Sequence, residues 1–176
     1  VSGDYVLYAP DYTQDINLNV TGRLYVVYLD PMPGQSIRLT ASQELVIATD
    51  LYAGNNSVQL QTPGNLQMAG EITAGSLSIN AATVSDVLNT SVETMSFNLT
   101  AAGSSLAVFD ADNLTITGGT GNNTQVTARA GANLLLSGPL TGVRALTLSS
   151  ADDLTSTSGF SVAVSGSTSL SGDNIS

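Results

Sequence analysis

A chain of 176 residues suits one domain, and a hydrophobic share of 42% supplies a core, which argues against disorder despite the abundant Ser, Thr, Asn and Gly. Acidic residues number 14 against 4 basic ones, and the net charge of −10 disfavours nucleic acid and anionic lipid, both of which need basic clusters. The chain has no Cys and no His, which excludes thiol chemistry, disulfides, His-centred metal sites and His-based triads.

Charged residues make up only 10% of the chain, against about 25% in an ordinary soluble domain. Hydroxyls and amides carry the polarity instead, which suits strands and turns better than helices. No apolar run approaches the ~18 residues of a membrane-spanning helix. No signal peptide is visible, and the chain reads as a mature protein or a fragment of something longer.

Residues 1–52 differ in composition from the rest. They hold all six tyrosines, from Tyr5 to Tyr52, and most of the prolines. The expectation is an N-terminal cap over the open end of a coil, or a strand from residues 1–22 donated to a neighbouring subunit. Leu24–Leu29, Ile37-Arg38-Leu39 and Leu45-Val46-Ile47 alternate or run apolar, and predict one or two irregular rungs. Asp4, Asp11, Asp15 and Asp30 are oxygen-ligand candidates for calcium in this stretch.

Residues 53–176 repeat. Ala111-Asp112-Asn113-Leu114, Gly131-Ala132-Asn133-Leu134 and Ala151-Asp152-Asp153-Leu154 recur every 20 residues, and Gly172-Asp173-Asn174-Ile175 follows. Short alternating pieces share the spacing: Leu77-Ser78-Ile79 and Phe97-Asn98-Leu99 lie 20 apart, and Leu106-Ala107-Val108, Gln125-Val126-Thr127-Ala128 and Leu146-Thr147-Leu148 form a second series. The segment 81–91 fits the cadence least well and is expected to bulge out as a loop.

Short strands at fixed spacing need a coil, because no single turn buries its own apolar face. The sequence therefore predicts an all-β, right-handed parallel β-helix, or solenoid, with rungs of about 20 residues and an irregular N-terminal cap. An antiparallel sandwich also has many short strands, but it does not explain identical turn chemistry at a fixed interval.

Four turn residues, Asn113, Asn133, Asp153 and Asn174, are expected to stack as a structural ladder at one corner, with a ligand-facing polar strip as the functional alternative. The acid pairs Asp110/Asp112 and Asp152/Asp153 hold turn positions. β-Helix glycosidases also use two carboxylates, about 5–9.5 Å apart, yet turn chemistry already explains these. Asp152 and Asp153 are the weak calcium candidates, and otherwise no cofactor is expected. Asn-x-Ser/Thr sequons occur at Asn19, Asn55, Asn89, Asn98, Asn113, Asn122 and Asn174, with Asn122 and Asn55 singled out for possible glycosylation.

The cadence Asn113-Leu114-Thr115-Ile116-Thr117-Gly118-Gly119, and again Ala145-Leu146-Thr147-Leu148-Ser149-Ser150-Ala151-Asp152-Asp153-Leu154, resembles the haemagglutinin-type repeats of filamentous bacterial adhesins. These include filamentous-haemagglutinin and contact-dependent-inhibition exoproteins and related autotransporter passengers. The resemblance covers roughly residues 57–176. It implies an exported, non-enzymatic β-helix at the cell surface or outside the cell, with no catalytic residues in its repeats. Its partners would be neighbouring subunits or further repeats, and a host or environmental surface, including glycans. The alternatives are a self-assembling subunit of a filament, sheath or surface layer, and a polysaccharide-active β-helix enzyme.

Overall fold

Alternating apolar and polar residues make each piece of this chain a strand with one buried face, and the pieces coil. The computed structural model describes the backbone of residues 1–12, 14–31 and 34–176, and their side chains apart from residues 10–12, 30 and 31. The expected calcium candidates Asp11 and Asp30 thus lie outside the described side chains. Strands β1 (Tyr5–Tyr12), β2 (Ile16–Val20), β3 (Leu24–Pro31), β4 (Ile37–Ala41), β5 (Leu45–Ile47) and β6 (Leu51–Tyr52) come first. They are followed by β7 (Ser57–Gln61), β8 (Asn65–Met68), β9 (Glu71–Ala81), β10 (Thr83–Val84), β11 (Val87–Leu99) and β12 (Ser105–Asp110). The last are β13 (Leu114–Ala130), β14 (Leu134–Leu136), β15 (Leu140–Ser150), β16 (Leu154–Ser156), β17 (Val162–Val164) and β18 (Thr168–Ser171). Among the described residues there is no helix.

Among the described residues every strand pairing is parallel, each strand lying on its equivalent one turn away. The chain is a β-solenoid of about eight turns. The long ribbons β9, β11, β13 and β15 run round corners, so each pairs with several partners; β13 alone meets β11, β12, β14 and β15.

The core is a set of columns inside the coil. One runs Leu18, Leu39, Leu60, Ile79, Phe97, Gly119, Leu140, Val162, with steps of 21, 21, 19, 18, 22, 21 and 22 residues. Another runs Leu114, Leu134, Leu154, Ile175. Leu39, Leu134 and their like are wholly buried, and burying each such side chain contributes about 1.5–3 kcal/mol. The repeat thus holds at 20 residues from Leu114 to Leu154 and from Leu106 through Val126 to Leu146, and it is elastic along the Leu18 column.

The N-terminal stretch adds a further column on a second sheet: Tyr5 pairs with Leu24, and Leu24 with Leu45, which pairs with Leu66. The segment 81–91, expected as a loop, is instead part of the wall. It closes a short turn, with 18-residue steps from Leu66 to Val84 and from Ile72 to Thr90. Ala81, Val84, Leu88 and Thr90 are buried in it. Polar side chains close its corner: Ser85 Oγ donates to Asn65 Oδ1 (2.7 Å), and Met68 N donates to Asp86 Oδ2 (3.2 Å). The residues that broke the cadence are those of a turn with too few residues to bulge.

Candidate functional site

The turn residues of the repeat share one corner. Asn113 Oδ1 accepts from both the backbone N (3.1 Å) and Nδ2 (2.9 Å) of Asn133. Asn133 Oδ1 accepts from Asp153 N (3.1 Å), and Asp153 Oδ1 from Asn174 Nδ2 (2.6 Å). The ladder continues through the backbone, where Leu114 N donates to Asn133 O and Leu134 N to Asp153 O. Each side chain thereby satisfies turn groups that the strand ladder leaves open.

The acid pairs separate. Asp110 is buried, and its carboxylate accepts from Thr90 Oγ1 (2.8 Å), Val92 N (3.0 Å) and Asp112 N (3.0 Å). Burial raises its pKa above the ordinary carboxylate value, although these hydrogen bonds oppose the rise. Asp112 is exposed, and its Oδ2 accepts from Ser91 Oγ (3.1 Å). Asp152 is exposed, while Asp153 commits an oxygen to Asn174. Asp4 Oδ1 caps Arg23 N, and Asp15 Oδ1 caps Ser36 N. Among the described residues no three acidic side chains come together to hold a metal ion.

The sequon residues Asn55 and Asn122 are exposed. Asn122 Nδ2 donates to Thr100 O (3.2 Å), and the hydroxyl of its sequon partner Thr124 is buried against Ser104 Oγ (2.9 Å).

The broadest feature is an outward face that sequence reasoning missed. It lies on β2, β4, β7 and the later parts of β9 and β11, then continues onto β13 and β15. One row reads Asn19, Thr40, Gln61, Asn80, Asn98, Thr120, Thr141, each residue in register with the next. At a strand spacing of about 4.8 Å it extends over about 29 Å. A parallel row two residues earlier reads Asn17, Arg38, Gln59, Ser78, Ser96, Gly118.

Only Arg38 in the two rows is ionic. Every other side chain except Gly118 offers both a hydrogen-bond donor and an acceptor. Asn98 Nδ2 donates to Asn80 Oδ1 (3.1 Å), which aligns neighbouring amides along the axis. Two shallow hollows follow the face. One is lined by Thr40, Gln61 and Asn80, the other by Asn98, Thr120 and Thr141 over Gly118 and Gly119. The elastic step lengths hid this row, since its members do not recur at 20.

Comparison with protein-family models, with curated proteins and with solved structures finds no match for this chain. The functional reading therefore rests on the geometry of its own surface.

Proposed function

We propose that this chain is an adhesive and structural solenoid segment, displayed at the cell surface or outside the cell, that attaches through its flat polar face. The carrying observation is the seven-residue row from Asn19 to Thr141. A row of uncharged donors and acceptors at strand spacing suits a partner that repeats its own hydroxyls or amides. Each contact is weak, and many in line add up. The near absence of ions from these two rows agrees with this mode, because attraction at long range would need a charged patch. The repeated cadence similar to filamentous adhesins adds support, and no step of this reading involves catalysis.

The test is attachment. Beads coated with the protein are washed over insoluble polysaccharide and over cell surfaces. Replacing Gln61, Asn80, Thr120 and Thr141 together by Ala is expected to cut retention by about tenfold, the loss of ~1.4 kcal/mol. The four side chains point outward, so melting should change little. Unchanged retention would remove the polar face from the mechanism.

A further inference from the structure

Around the corner from the polar face lies a groove of different chemistry. Tyr52, Thr73 and Ser91 are outward residues stacked in register on β6, β9 and β11. Asp112 extends the row through its hydrogen bond from Ser91 Oγ. Beside this row Gly54, Ala74 and Gly75 line a groove of about 320 Å³. Spanning three strand intervals, it is about 14 Å long. Its far rim carries Glu93, Asp112 and Asn113, and its near rim Tyr52 and Asn55.

The two ends demand different things of a ligand. Tyr52 is 44% exposed and supplies the aromatic ring of the groove lining. Its face suits a flat apolar patch, such as the C–H face of a pyranose ring, and attracts cations. Glu93 and Asp112 are exposed carboxylates, and no arginine lines the groove. They favour a ligand with positive charge and hydroxyl donors and reject an anionic one. The buried Asp110 takes no part, since its oxygens are held by Thr90, Val92 and Asp112 N.

We infer that this groove binds a short run of a glycan bearing free amino groups, with a sugar ring on Tyr52 and ammonium and hydroxyl groups on Glu93 and Asp112. The inference rests on the adhesive reading only in taking a surface polymer as the natural source of the ligand. It gives the solenoid a selective contact next to an unselective one.

The experiment is calorimetric titration of the intact chain with a glucosamine oligomer, its fully N-acetylated counterpart and spermine, a polycation without rings. The glucosamine oligomer is expected to bind saturably and more tightly than either of the others. Tyr52→Ala and Glu93→Gln should each weaken it about two- to fivefold, the range of one exposed aromatic or charge contact. Glu93 is a solvent-exposed side chain, so that variant keeps the result readable if Tyr52→Ala folds poorly. Asp173→Asn, which removes an exposed carboxylate of the last turn away from the groove, should bind the oligomer as the native chain does. Equal affinity for spermine, or native affinity in both groove variants, would overturn the inference. A loss in Asp173→Asn as large as in Glu93→Gln would overturn it as well, by making the attraction one of overall charge. The titration involves no surface attachment, so its failure alongside intact bead retention refutes the groove and spares the adhesive reading.

Discussion

Phe97 lies over Gly119, its partner one turn further along the coil, and the ring fills the space that a Cβ on Gly119 would occupy. The column that holds leucine or isoleucine at Leu39, Leu60 and Ile79 has one oversized and one absent side chain here, and the two compensate. Gly119→Ala would drive a methyl into the ring. The expected cost is about 1–3 kcal/mol, the usual range for overpacking. Phe97→Ala should cost about 3–5 kcal/mol by leaving a cavity. The double variant should cost less than the two single costs added together. Denaturant melts of the four proteins measure the coupling, and strict additivity would mean that the two positions are independent.

The corner ladder makes a different demand. Asn133 gives two hydrogen bonds to Asn113 and receives one from Asp153. Asn133→Leu removes the side-chain bonds and leaves Asp153 N without its acceptor. A loss of about 1–3 kcal/mol is expected, mostly from turn groups left unsatisfied. For a chain of this size that lowers the melting temperature by about 2–4 °C per kcal/mol. Oligosaccharide binding and bead retention should survive at temperatures where the variant is folded. An unchanged melting temperature would show that the ladder is decoration.

Asp110 gives the coil a pH dependence of definite sign. Burial raises its carboxyl pKa in the folded chain, so the native state holds this proton more tightly than the unfolded state does. Its contribution to stability is complete below the ordinary carboxylate pKa. It is lost as pH rises through the raised value. Relative to Asp110→Asn, which lacks the titration, the native chain should gain stability on acidification through that window. Chemical denaturation of both proteins from acid to neutral pH reads the difference. A gap that widens in the opposite direction would mean that the three hydrogen bonds outweigh burial.

The parts of this fold that were legible share one property: a strict interval. Leu114, Leu134 and Leu154 recur at 20 residues because their turns use the same bonds, and the solenoid follows from them. Elsewhere the coil tolerates steps from 18 to 22 residues, because parallel pairing fixes register between neighbours and leaves the corner lengths free. The segment 81–91 broke the interval by being short, and a missing cadence resembled a loop.

Composition set the N-terminus apart without saying where its tyrosines go. Tyr5 packs against the core while Tyr8 and Tyr28 stand outside with ring centres 5.3 Å apart, so they are shared between wall and surface. The surface rows and the groove were invisible for a simpler reason. Each joins residues from several turns, and only the register says which ones meet.

The straight polar face underlies both the fold and the proposed attachment, and it runs from the tyrosine-rich stretch into the repeats. The chain has no native cysteine, so cysteines placed at Thr40 and Thr141 take spin labels without interference. The two positions are five strand intervals apart in one row. Pulsed electron–electron resonance should give a single narrow distance near ~24 Å, widened only by the label arms. A broad distribution, or a mean displaced well beyond the reach of those arms, would contradict one continuous coil and the face built on it.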